Sequence, residues 1–199
     1  MPSTESASYT KTAIFLHWLI ALAIALAFVL GASLEYLPDE STKSAAIGLH
    51  KSVGIAILLL SFVRLGWRLI HHAPPLPATM PLWEKNSARI VHVLLYTAMI
   101  LQPLSGWALI SANPNNIPTF LFGLVIWPSL PLSPMLENKE ELTQMLVSAH
   151  GLGAALFALL IAGHAAAALR HHFILHNDIL LRMSPRFCVK CLNRLRGQA

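Results

Sequence analysis

His150-Gly151-Leu152-Gly153-Ala154-Ala155-Leu156-Phe157-Ala158-Leu159-Leu160-Ile161-Ala162-Gly163-His164 is an apolar run with a histidine at each end, and it leads into Arg170. Fourteen positions separate the histidines. At about 100° per residue they fall some 40° short of four full turns, so both rings leave one face of a helix, about 21 Å apart along its axis. A bilayer core is about 30 Å thick. One ring therefore belongs near each membrane surface, and both face the same neighbours. Two stacked metal centres need that arrangement, and the rest of the chain must supply the partners.

The composition places such a helix in lipid. The 199 residues are 55% hydrophobic and 12% charged, against about 25% charged in an ordinary soluble domain. Mean hydropathy is +0.60. These values describe one integral membrane bundle. The net charge of +5 suits nucleic acid only superficially, because the basic residues flank apolar runs and so carry topology. No nucleic-acid partner is expected.

Four spans are expected, at about 13–36, 44–70, 82–110 and 147–170. Leu37-Pro38-Asp39-Glu40 stops the first and His71-His72-Ala73-Pro74-Pro75 the second; Pro103 and Gly106 suggest a kink in the third. The first run is too long for a signal-peptide core. Residues 111–146 contain Pro114, Pro118, Pro128, Pro131 and Pro134 and are expected as a periplasmic loop folded over the bundle mouth. Within it, Phe120 to Trp127 is too short to span, and Glu137 to Val147 resembles a short amphipathic helix. The fold class is thus all-α, a four-transmembrane-helix bundle with both termini on one side. Sorted by side, eleven of the fourteen Lys and Arg share the side of the termini, and only Lys43, Lys51 and Lys139 lie opposite. The termini side is accordingly the cytoplasm. Residues 1–186 form one domain, and 187–199 a basic cytoplasmic tail.

Ten histidines occur in this apolar chain. His71, His72, His172 and His176 sit at cytoplasmic helix ends, where an interfacial role suffices. His17, His50, His92, His150 and His164 lie within apolar runs, and ionisable residues at that depth point to a site. Depth sorts them. The outer layer holds His50 and His150; the inner layer holds His164 with either His17 or His92. Facing histidines at matched depth can fill both axial positions of a b-type haem, which leaves electron transfer as its work. Gly54, Gly153 and Ala154 follow the outer histidines on the same helix faces and leave room for a flat ring.

Charges add candidates. Arg64 follows His50 by fourteen residues, so it shares that face at the inner layer and could pair with a haem propionate, as could Arg68; snorkelling to the interface is the plainer alternative. His171, seven after His164, returns to the ligand face about 10 Å nearer the cytoplasm. With Arg170 it is the candidate quinone contact. Lys51 is the candidate for attracting a small anion outside. Phe157, midway between the helix-four histidines, is explained by packing. Cys188 and Cys191 have the spacing of a redox or zinc pair but no second pair to complete a metal site.

The ordered set resembles the bacterial cytochrome b561 family of four-helix, di-haem b membrane cytochromes. The residues that carry it are His17-Trp18, His50-Lys51-Ser52-Val53-Gly54, His150-Gly151, His164-Ala165-Ala166-Ala167-Ala168-Leu169-Arg170-His171-His172, and Asp178 through Arg186. The resemblance runs from about residue 9 to 186. It implies that the helix-one histidine is the inner ligand, pairing His17 with His164 and leaving His92 a non-ligand. It implies two haem b, exchange of electrons with the quinone pool, ubiquinone as partner, and residence in the bacterial inner membrane. Some members are superoxide oxidases, which pass an electron from superoxide outside to ubiquinone. Others are electron-carrier subunits that serve a dehydrogenase or another periplasmic redox partner. The Cys-x-x-Cys tail and the second extramembrane loop have no close counterpart. Outside redox chemistry, the competing class is a small transporter or structural bundle whose histidines pair with each other.

Overall fold

The computed structural model describes residues 8–113, 118–132 and 139–197. Its elements are α1 (Lys11–Ser33), α2 (Glu40–Ile70), α3 (Leu82–Ala112), β1 (Thr119–Leu121), β2 (Val125–Trp127), α4 (Lys139–Phe173), α5 (Ile179–Met183) and α6 (Arg186–Leu195). α1 to α4 are each long and apolar enough to cross a membrane. Large apolar side chains such as Phe15, Leu22, Val29, Val93 and Leu159 point outward along them, as a surface solvated by lipid tails requires.

Local chemistry sets the helix limits. Thr10 caps α1 by accepting from the Ala13 N–H at 3.2 Å. Asp39 caps α2 by accepting from the Thr42 N–H and hydroxyl, both at 2.8 Å. That cap explains why α2 begins at Glu40 and not near Ser44: the acidic Glu40 suits a first turn. α3 runs through Pro103 to Ala112. The expected amphipathic helix before the fourth span is not separate. Its residues 137 and 138 lie outside the described residues, and 139–147 are the first turns of α4. At about 1.5 Å per residue the 35 residues of α4 extend roughly 52 Å, well beyond the lipid core.

α1 packs on α2, α2 on α3, and α3 on α4. Ile20, Ile24, Val53, Ile57, Met99 and Phe157 form the buried centre, at mid-depth of the bundle. Phe157 is nearly fully buried, and its ring lies 6.1 Å from that of Phe28.

Two features differ from the sequence expectation. The second extramembrane connection contains an antiparallel hairpin, with Phe120 opposite Ile126 and Gly123 at positive φ in its turn. Ser52 fastens it to α2: its buried hydroxyl accepts from the Phe122 N–H at 2.9 Å and donates to the Gly48 carbonyl at 2.9 Å. Trp107 donates to the Pro128 carbonyl, and Ser111 accepts from the Leu130 N–H. The basic tail, for its part, contains helix α6. It packs against His172, which is fully buried and not interfacial as its position suggested; Nε2 lies 3.1 Å from the Leu192 carbonyl. Arg196 adds a bond to Asp178 at 3.2 Å.

Candidate functional site: two stacked histidine pairs

α1 and α2 run antiparallel, as do α3 and α4, so His17 and His164 share the end of the bundle near the termini, called inner after the expected topology, and His50 and His150 the other, called outer. At the outer end the rings of His50 and His150 have centroids 6.2 Å apart and planes at 84°. At the inner end His17 and His164 are 6.3 Å apart at 72°. His92 also reaches His164, at 5.3 Å.

Backbone and side-chain groups hold the outer rings. His50 Nδ1 lies 2.9 Å from the Ala27 carbonyl of α1, so a hydrogen there donates across the helix pair and leaves Nε2 outside that bond. His150 Nδ1 lies 2.8 Å from the Ser105 hydroxyl. Ser105 itself donates to the Gln102 carbonyl at 2.7 Å, and the Gln102 amide donates to the His150 carbonyl at 2.9 Å. Two glycines make the rings fit. A Cβ at Gly106 would stand 3.0 Å from His150 Cε1, and one at Gly31 would stand 3.3 Å from His50 Cε1. The room anticipated at Gly153 is taken by the Gln102 side chain, whereas Gly54 faces open space.

Ala27, Gly31, Gln102 and Ser105 were not singled out in the sequence, and Gly106 stood out only as a kink candidate. Depth matching would have found the α3 group, since Gln102, Ser105 and Gly106 lie at the outer end of their span, level with His150.

The inner end is built from charge. Arg64 donates to the Ala13 carbonyl at 2.8 Å, and its guanidinium lies 6.0 Å from the Tyr96 ring centre. Ala13 lies one turn before His17 on α1, and Tyr96 one turn after His92 on α3. Arg64 and the exposed Arg68 line a cavity with Tyr9, Trp67, His71 and Tyr96. His92 keeps its Nδ1 on the Ala88 carbonyl of its own helix, at 2.6 Å. Of the quinone candidates, Arg170 pairs with Glu84 at 3.1 Å, and His171 Nδ1 lies 2.8 Å from the Asn177 amide. They adjoin in sequence but engage different partners. Lys51 is half-buried beside His50.

A metal-bound imidazole nitrogen sits about 2 Å from the ion and about 1.1 Å from its ring centre, so two rings on opposite sides of one ion lie roughly 6.3 Å apart. The His50–His150 and His17–His164 separations have that value, and His92–His164 is too short for it. Among the described residues no group of three or more His, Cys, Asp or Glu could hold a bare metal ion. Paired histidines without further protein ligands suit a macrocycle that brings its own four equatorial nitrogens.

Fold and site together define a class: a four-span membrane bundle with two facing histidine pairs, one above the other. Comparison with known proteins narrows it. The model of a family described as prokaryotic cytochrome b561 matches residues 8–186. The chain is 30% identical over 179 residues to cytochrome b561 homolog 1 of Escherichia coli, covering 89% of this chain and 97% of that one. It is also 30% identical to the probable superoxide oxidase CybB of Yersinia pestis, over 89% and 96% of the two chains. Cytochrome b562 of Cereibacter sphaeroides is 30% identical, over 90% and 97%. The chain belongs to the prokaryotic cytochrome b561 family. It is a multi-pass protein of the bacterial inner membrane, surrounded by lipid, and its family implies haem b and membrane electron transfer. α6 lies past the end of the matched segment, sharing only Arg186 with it.

Proposed function

We propose that the chain binds two haem b groups, the outer between His50 and His150 and the inner between His17 and His164, and works as a superoxide:ubiquinone oxidoreductase with both termini in the cytoplasm. The observation that carries this reading is the pair of ring separations, 6.2 and 6.3 Å, at two depths of one bundle. Bound haem would supply a one-electron couple at each depth, held by His50 and His150 at one and by His17 and His164 at the other. The protein's own residues do the rest. The Ala27 carbonyl and the Ser105 hydroxyl hold Nδ1 of the two outer rings, which would leave Nε2 of each for iron. Phe157 and the apolar residues around it exclude water between the two layers. Arg64 and Arg68 balance propionate charge at the inner end.

Lys51 draws superoxide to the outer end. Each superoxide gives up one electron and leaves as dioxygen; two electrons and two protons convert ubiquinone to ubiquinol. At the inner end His171 accepts from Asn177 on Nδ1, so its hydrogen is on Nε2, free to donate to a quinone carbonyl. Arg170 stays half exposed beside it. The likeness to a relative named probable superoxide oxidase supports the choice of substrate.

A superoxide pulse on purified, quinone-free protein tests this. The α band of reduced haem b should appear at once and decay when ubiquinone is added. A spectrum unmoved by superoxide, together with reduction by a co-purifying dehydrogenase or periplasmic redox protein, would instead make the chain a carrier subunit.

A further inference from the structure

The two histidine pairs are held differently. In the outer pair, each Nδ1 lies against an acceptor, the Ala27 carbonyl at 2.9 Å and the Ser105 hydroxyl at 2.8 Å. At the inner pair the marked feature is a cation: Arg64 donates to the Ala13 carbonyl, one turn before His17, and its guanidinium lies 6.0 Å from the ring centre of Tyr96, one turn after His92. Outside, Lys51 is half-buried and about 100° around the helix from His50, so it leaves a different face of α2.

The role of Ser105 follows from counting hydrogens. A neutral imidazole with Nε2 on a metal carries its single hydrogen on Nδ1. In His150 that hydrogen needs an acceptor. The Gln102 amide nitrogen is a donor only: it donates to the His150 carbonyl at 2.9 Å and lies 3.2 Å from Nδ1 and 3.4 Å from Nε2, so it offers that hydrogen no acceptor. Ser105 has its own hydrogen on the Gln102 carbonyl, which leaves an oxygen lone pair directed at Nδ1. A hydrogen bond of this kind fixes the tautomer and ring plane and makes the ligand more basic. A more basic axial ligand favours ferric iron and lowers the reduction potential. A nearby guanidinium acts in the opposite sense, because reduction adds a negative charge.

We propose that Ser105, itself held by Gln102, is a positioning residue for His150, and that with the Ala27 carbonyl on His50 it makes the outer haem site the lower-potential of the two, so that electrons run downhill from the outer face to the inner. This rests on the two-haem reading above.

The test is a redox titration of the purified two-haem protein, followed optically and by EPR. The couple lost in His150→Ala identifies the outer site. The outer couple should lie below the inner in the unaltered protein. Ser105→Ala should raise the outer couple about tenfold in its reduction constant, or about 59 mV for one electron, move its EPR signal and leave the inner couple in place. Ser105→Thr, which keeps a hydroxyl, should restore the original value. If Ser105→Ala sheds the outer haem, Ser105→Cys carries the test, with a smaller rise in the same couple. An unmoved outer couple in the variant that retains both haems, or an outer couple above the inner, would overturn the proposal. Unaltered protein with fewer than two haems would defeat the two-haem reading itself, a distinguishable result.

Discussion

His150 is fixed by neighbours on two helices: Ser105 and Gln102 bond to it, Gly106 gives its ring space, and His50 faces it. Its replacement is correspondingly informative. His150→Ala should halve the haem content, leaving the inner group, whereas His92→Ala should leave both, because the His92–His164 spacing does not suit one shared ion. Pyridine haemochrome assay against protein mass checks both variants, and the opposite pattern would overturn the ligand assignment. Gly106→Val should act like a milder His150 variant, since its Cβ alone would stand 3.0 Å from the ring; haem content close to two would show that the ring can move aside. Three of the four proposed ligands, His50, His150 and His164, were readable from sequence because helical period and depth are arithmetic on residue number. The choice between His17 and His92 was not: both lie near the starts of their helices, and the proposal of His17 is supported by the family resemblance and the 6.3 Å ring separation. Ala27 and Ser105 escaped because a carbonyl or a serine carries no signal until a partner helix is beside it.

At the scale of elements, the hairpin of β1 and β2 depends on Ser52, which lies two residues past His50. Ser52→Ala would strip the acceptor from the Phe122 N–H, at a cost of about 1–3 kcal/mol for an unsatisfied buried donor. Hydrogen exchange at Phe122 should quicken about tenfold or more while haem content stays unchanged; unchanged exchange would mean that the hairpin is held elsewhere. The start of α2 makes a separate, pH-dependent prediction. The Thr42 N–H bond, with the Thr42 hydroxyl next, holds the exposed Asp39 carboxyl below its ordinary value of 3.8. A depressed folded-state pKa means that the cap contributes fully above 3.8 and is lost as pH falls through the lower folded value. The Thr42 amide resonance should therefore titrate with a midpoint below 3.8, and a midpoint at or above it would remove the cap's electrostatic role. Neither the hairpin nor α6 was legible beforehand. Strands of three residues are too short to display a period, and the basic residues of α6 read first as a tail. The four spans were plain because about 20 apolar residues in lipid have few alternatives to a helix.

For the whole molecule, the proposal that both termini are cytoplasmic rests on the charge asymmetry, and the two cysteines test it directly. Cys188 and Cys191 are the only cysteines in the sequence, and Cys191 is exposed. A membrane-impermeant maleimide should leave the protein unlabelled in intact spheroplasts and label it in inverted vesicles; labelling in spheroplasts would reverse the topology. One bundle is proposed to stack two haem b groups between two histidine pairs. The pyridine haemochrome ratio of the purified protein tests that stacking. Two haem b per chain are expected, with both removed together when His50 and His164 are replaced at once. A ratio of one or less in the unaltered protein, or retention of either haem in that double variant, would contradict it.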